Sequence, residues 1–359
     1  MSNVNPSTVE SLTHGIEPVS ESWRAQARRR LDTLTKPLGS LGRLETIAAQ
    51  FVAIRRERSH EPMHKGVFIF AADHGVTAEG VSAYPSEVTQ QMVLNFLAGG
   101  AAISVLAKLH NVELAVINAG VAGDFGDTGG VLDRQIARGT RNLRREAAMS
   151  EDQVLRALAV GAEMADVAAI AGQNVVAIGE MGIGNTTAAS AITCVLAGVP
   201  ASFATGRGTG ISCEAYAHKI VIVQASVEKH FGGTAAASPF EILRCLGGLE
   251  IAAMVGMILE AARHQLVIVV DGFISTAAAA LAVAISPASL GYMIAGHQSE
   301  EPGHRILLEH LHLYPLLTLD MRLGEGTGAV LAMPLIEAAM ALYTNMATFA
   351  AAGVSGASA

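Results

Sequence analysis

The sequence predicts an α/β protein, a parallel sheet of about six strands with helices packed on both faces. Three observations lead there. Short aliphatic runs recur along the chain, each closed by a glycine or an isolated polar residue. Ala-rich stretches of helical length separate them, as in strand-helix units wound around a parallel sheet. Of 359 residues, 51% are hydrophobic and only 4% aromatic, so the interior has to close by packing small aliphatic side chains.

The chain opens on a different pattern. SESWRAQARRRLDTLTKP (20–37) and LGRLETIAAQFVAIRRERSH (41–60) read as two charged amphipathic helices separated by Pro37 and Gly39. With the apolar helix MPLIEAAMALYTNMATFAAA (333–352) they are expected to form a small helical domain, residues 1–60 packing with 330–350, beside a catalytic domain over 61–329. Strands are expected at GVFIFAAD (66–73), VELAVINAG (112–120), NVVAIGE (174–180), LVIVVDG (266–272), GYMIAGH (291–297) and, least clearly, LLTLDMRLGE (316–325). Residues 122–151 hold most of the loop-like polar sequence, and the last ten residues, AAAGVSGASA, read as frayed. The order is Rossmann-like, and binding groups should gather at the carboxyl ends of the strands. Asp73, His74, Asn118, Glu180, Asp271, His297 and Glu325 all fall there.

Composition excludes several classes of function. A net charge of -8 and a pI near 5.8 oppose a broad nucleic-acid surface, which needs clustered Lys and Arg. The mean hydropathy of +0.39 raises the question of a membrane span, and residues 272–299 carry no Asp, Glu, Lys or Arg. That stretch is broken by Ser275, Thr276, Ser286, Pro287, Ser289 and Gly291, so no span is expected. The opening MSNVNPSTVESLTHGIEPVSESW lacks a basic segment followed by an apolar one, which predicts a cytoplasmic protein. Cys194, Cys213 and Cys245 have neither even number nor CxxC spacing and are expected reduced, in the core or a pocket.

Two glycine-rich loops suggest an anion site. GEMGIGNTTAASA (179–191) follows a strand and opens a helix, where backbone N-H groups can cradle a phosphate. It lacks the lysine of a P-loop, and Thr187 replaces the third glycine of GxGxxG. TGRGTGIS (205–212) brings Arg207, and Lys219 follows on a helix, so two loops and two cations could enclose a phosphate monoester. His74, His297 and His304, with Asp73, Glu300 and Glu301, match no standard ligand set, and no metal is expected. SEEPGH reads instead as a helix entrance with Ser299 as cap. Glu325, between two glycines and ahead of an apolar helix, is either a first-turn acidic residue or a carboxylate whose burial raises its pKa toward that of a general base.

LTKPLGSLGRLE, ADHGV, GEMGIGNTTAASA, GRGTGI, DGFISTAAAALA, GHQSEEPGH and LDMRLGEGTGA occur in this order. The set closely resembles the nicotinate-nucleotide:dimethylbenzimidazole phosphoribosyltransferase family, from about Leu31 to the C-terminal helix. The resemblance implies transfer of ribose 5-phosphate from nicotinate mononucleotide to 5,6-dimethylbenzimidazole with inversion, giving α-ribazole 5'-phosphate for the nucleotide loop of cobalamin. It implies Glu325 as general base and Glu180 beside the reacting ribose. Gly182, Gly184, Asn185, Thr186 and Lys219 would hold the ribose phosphate, with Arg207 to Gly210, including Gly208, completing the site. Ser82, Tyr84 and Gln90 of VSAYPSEVTQQ would meet the benzimidazole. Neither cofactor nor metal is called for, and the family implies a homodimer. GTRNLRREAAMS departs from the family, with Ala147 where Pro-Ala-Met is expected. A nicotinamide-dependent oxidoreductase and a non-catalytic binder of nucleotides or benzimidazoles are the competing classes.

Overall fold

The computed structural model describes residues 14–126, 128–232 and 238–355. Six parallel strands form one sheet: β1 (Lys65–Ala72), β2 (Glu113–Gly120), β3 (Val131–Asp133), β4 (Val175–Met181), β5 (Val267–Val270) and β6 (Met293–Ala295). Their order is β3-β2-β1-β4-β5-β6. The chain steps outward from β1 in one direction, returns, and steps outward from β4 in the other, which opens a crevice between the carboxyl ends of β1 and β4. The register sets Glu180 against Phe70 and Met181 against Ala71, so the segments after both strands leave side by side.

Every residue of β1 and β5 is buried, which is why these strands read as continuous apolar runs rather than alternating ones. The last two expected strands differ from the sequence pattern. GYMIAGH contributes only β6 to the main sheet, after a 3-10 turn over Pro287–Tyr292. His297–Gln298 (β7) pairs with Leu317–Thr318 (β8) in a separate two-stranded sheet, and β8 is all of LLTLDMRLGE that joins a ladder. The sixth place in the main sheet falls to β3, inside the stretch expected as loop. Three residues are too few to show a period, and β3 is defined by its pairing with Val116 to Asn118.

Small residues allow the close helix packing that the composition demands. The helices Glu151–Ile170 and Leu249–Arg263 cross where Gly161 meets the Ala253 carbonyl and Gly256 meets the Leu158 carbonyl; a Cβ at either glycine would strike that backbone. All of Leu249–Arg263 except its last residue is buried. Ser150 and Gln153 form a capping box that fixes the start of the partner helix.

The two terminal segments of the chain meet. Arg30 of the helix Glu21–Thr33 donates to the carbonyls of Tyr343 and Thr344 at 2.8 and 3.0 Å, and Leu34 bridges Thr348. The helix Arg43–Arg55 packs on the helix Thr327–Asn345, which also lies against β4 and β5. The C-terminal helix starts at Thr327, earlier than 330, and carries Pro334 in its interior; its first turn is held by Asp271 rather than by a side-chain cap of its own. The opening segment judged for a leader lies largely outside the described residues.

Among the described residues, two segments are apolar and long enough to cross a bilayer, Glu87–Leu109 and Thr327–Asn345. The first is broken into the helices Glu87–Leu97 and Ala102–Leu109, and the second is half covered by the packing just described.

Candidate active site

A cavity of about 500 Å³ opens at the switch point between β1 and β4. Its wall combines the loop after β4, the glycine-rich segment at 208–209, the start of the helix Phe273–Ile285, Ser299 and Glu301, the 322–325 segment and the stretch Val81 to Met92.

Glu325 sits on that wall. Gly324, Glu325 and Gly326 have φ of 83°, 62° and 82°, three successive left-handed residues. Glycine adopts this conformation freely, whereas a glutamate there costs about 1 to 2 kcal/mol, so the position is over-determined by its surroundings. Asp271, at the end of β5, accepts the N-H groups of Gly326 and Ala329 at 3.1 and 2.9 Å. On the other side the Thr327 hydroxyl donates to the Gly324 carbonyl at 2.7 Å. Glu325 is only 5% exposed and its Oε2 has no hydrogen-bond partner. Burial pushes its carboxyl up to about 7, opposed by the Ile103 N-H and reinforced by the charge of Asp271.

Glu180, the residue before the last of β4, lines the same cavity. Its carboxylate receives the Asn185 amide, and a Cβ on Gly324 would collide with its other oxygen, so Glu180 and the Glu325 turn are in contact. Burial above all, then the charges of Glu250 and Asp271, push Glu180 up to about 8; the Asn185 hydrogen bond opposes this and Glu325 adds to it.

The phosphate-site candidates divide. Gly182, Gly184, Asn185, Thr186 and Gly208 line the cavity. Lys219 is buried beneath them and donates to the Thr186 hydroxyl at 2.8 Å. Burial pulls its ammonium down to about 8, with Glu301 opposing. The structure does not bring the Arg207 side chain to the cavity: it donates to the Ile211 carbonyl at 2.8 Å, lies against the exposed Cys213 and stacks over Tyr216. Cys213 is thus neither core nor pocket, unlike the buried Cys194 and Cys245.

The benzimidazole candidates divide as well. Ser82 and Tyr84 line the cavity; Ser82 lies 3.3 Å from the Thr209 hydroxyl, and Tyr84 is 54% exposed at the rim. Gln90 points elsewhere, donating to the Asp124 carbonyl and tying its helix to the loop after β2. Val81, Val88, Met92, Ile183 and Leu323 supply the apolar side of the cavity.

His74 and His304 are engaged within the protein, whereas neither ring nitrogen of the buried His297 has a hydrogen-bond partner. His74 and Glu250 form a fully buried pair at 2.5 Å, and Glu250 raises the imidazole above its ordinary value against the cost of burial. His304 accepts the Ser299 N-H on Nδ1, so its Nε2 carries the proton toward Thr276 at 3.0 Å; burial, with His297 adding to it, pulls it down to about 3. Among the described residues one His-carboxylate group has donors close enough for a metal, Asp166, Glu260 and His264, where the helices Glu151–Ile170 and Leu249–Arg263 near their ends. There His264 already contacts Asp166 at 2.6 Å and Arg263 pairs with Glu260 at 2.7 Å.

Against known proteins, the profile of the phosphoribosyltransferase family matches residues 16–354. A nicotinate-nucleotide--dimethylbenzimidazole phosphoribosyltransferase of Geobacter sulfurreducens is 49% identical over 337 residues, covering 94% of this chain and 95% of the relative. The chain belongs to this family of phosphoribosyltransferases. A second such relative, from Pelodictyon phaeoclathratiforme, is 48% identical with 98% of each chain covered. The crystal structure of CobT from Thermus thermophilus superimposes with a TM-score of 0.89 at 46% identity, covering 94% of this chain and all of the other.

Three cavity residues of this phosphoribosyltransferase, Ser299, Glu301 and Arg322, are not legible as such in the sequence. Glu301, read as part of a helix entrance, accepts the Gly208 N-H at 2.9 Å and leaves its other oxygen unpartnered, while Ser299 lines the cavity and is not the cap of the helix Pro302–His310. Arg322 donates to the Gly208 carbonyl at 2.9 Å. These contacts join segments 93 and 114 residues apart, beyond any local pattern; an arginine within LDMRLGE was the only signal.

Proposed function

We propose that this phosphoribosyltransferase moves the ribose 5-phosphate of nicotinate mononucleotide onto 5,6-dimethylbenzimidazole, giving α-ribazole 5'-phosphate and nicotinate for cobalamin nucleotide-loop assembly. The observation that carries this is Glu325, a buried carboxylate with a free oxygen on the wall of a cavity whose other side holds the Lys219-Thr186 pair. One nitrogen of the benzimidazole attacks C1' of the ribose. The bond from C1' to the pyridinium nitrogen breaks, its electron pair stays on nicotinate, and the proton on the second benzimidazole nitrogen passes to Glu325. Attack opposite to the leaving group inverts the β-linkage to α.

The leaving group departs as a neutral ring from a cation, so the protein's work is to orient, to remove one proton and to anchor the phosphate. A Glu325 carboxyl near 7 suits a general base at neutral pH. Glu180, protonated up to about 8, can give a hydrogen bond to a ribose hydroxyl without adding a second negative charge beside the base. Lys219, Thr186 and the backbone at Gly182, Gly184 and Gly208 suit the phosphate, and the apolar side from Val81 to Met92 with Ser82 and Tyr84 suits the flat acceptor.

The experiment is to mix purified protein with nicotinate mononucleotide and 5,6-dimethylbenzimidazole and follow nicotinate and α-ribazole phosphate by chromatography. Both products are expected in equal amounts; binding of the nucleotide without product would overturn the reaction. Lys219→Ala is expected to weaken nicotinate mononucleotide binding by ~1.5 to 3 kcal/mol, the scale of a charge-assisted contact. Calorimetric titration checks this, and parental affinity would remove Lys219 from the phosphate site.

A further inference from the structure

We infer that Asp271 is a positioning residue: by holding the two N-H groups that follow Glu325, it locks that residue in its left-handed turn and aims its carboxylate into the cavity. The inference rests on Glu325 being the base.

Asp271 does not line the cavity, and at 1% exposure it is closed to solvent. Its two oxygens are spent on one turn of chain, Oδ2 on the Gly326 N-H and Oδ1 on the Ala329 N-H, both at the start of the helix Thr327–Asn345. These donors would otherwise be unsatisfied, and a carboxylate facing a helix N-terminus is favoured by the aligned peptide dipoles. The aspartate itself is anchored at the end of β5, a strand paired on both sides, with β4 and β6. His297 packs behind the clamp, its Nδ1 3.7 Å from Asp271 and its ring against Gly328, where a Cβ would displace it.

Glutamate at φ 62° is held against its own preference, so a turn released from β5 would let Glu325 relax toward right-handed backbone and carry its carboxylate off target. Because only the base moves, the loss should fall on the chemical step and leave phosphate anchoring at Lys219 untouched.

The test is a double-mutant cycle with Glu325→Gln in the full chain, with melting curves recorded for each protein. Asp271→Asn alone is expected to lower kcat ~10- to 100-fold, the scale of a reacting group displaced by about 1 Å. KM for nicotinate mononucleotide should stay within about twofold, as for a group that acts after binding. In the Glu325→Gln background the same change should cost less than about threefold more, because the group it positions is already gone. An equal loss in both backgrounds, or a raised KM with kcat kept, would overturn the inference. If Asp271→Asn does not fold, Asp271→Ser, which aims no amino group at the Gly326 N-H, carries the same cycle. Parental turnover in Glu325→Gln alone is a separate result, and it strikes the base assignment itself.

Discussion

Glu325→Gln lowers turnover by ~10² or more, the usual scale for a positioned general base, while nicotinate mononucleotide binds as before. Glutamine keeps the volume and can still accept the Ile103 N-H, but it cannot take up a proton. The turn around it is held from Asp271 and Thr327, not by the Glu325 side chain, so the fold is expected to survive. The same assignment predicts a pH dependence. Glu325 acts only when ionised, and burial sets its carboxyl near 7, so kcat/KM should rise with pH through about 7 and then level off. That limb should be missing from Glu325→Gln. Steady-state kinetics of both proteins across neutral pH decide the matter; unchanged turnover, or the same acid limb in the variant, removes Glu325 from the chemistry.

Glu180→Gln should stabilise the protein, and increasingly so as the pH rises. An exposed glutamate ionises near 4.5, whereas in the folded chain Glu180 keeps its proton up to about 8 because burial and the neighbouring carboxylates oppose its charge. Between these values the folded state binds a proton that the unfolded state has released, so stability contributed by this group is present below about 4.5, falls as pH rises, and is flat above about 8. A displacement of this size corresponds to a few kcal/mol, shared with the carboxylates to which Glu180 is coupled. Glutamine can still accept the Asn185 amide and never ionises. The melting temperature of the variant should match the parent near pH 5 and exceed it by several degrees above pH 8, at roughly 2 to 4 °C per kcal/mol for a chain of this size. A difference that does not vary with pH would show that Glu180 is already ionised in the folded protein.

Much of the architecture was written in short segments. β1, β2, β4 and β5 stand where aliphatic runs predicted them, since a strand covered on both faces is apolar along most of its length. β3 was invisible, because three half-exposed residues carry no period and gain their structure only by pairing with β2. The 316–325 run was read as a sixth strand and is mostly open chain, bent away from β6 into the small β7-β8 pair.

The candidate site divides in the same way. Gly182, Gly184, Asn185, Thr186 and Glu325, all on the cavity wall, could be picked out because their placement depends on local backbone: a strand ending, a glycine turn and a helix start lie within a few consecutive residues. The directions of Arg207 and Gln90 could not, since each long side chain is captured by a nearby carbonyl that the fold happens to present. Glu301, Arg322 and Asp271 reach partners 93, 114 and 55 or more residues away. By itself the sequence determined the central strands of the sheet, the glycine loops and the isolated carboxylate at Glu325. Tertiary structure alone decided which charges meet, how deeply each is buried and therefore which carboxyl keeps its proton, because desolvation and pairing depend on distances in space that spacing along the chain does not encode.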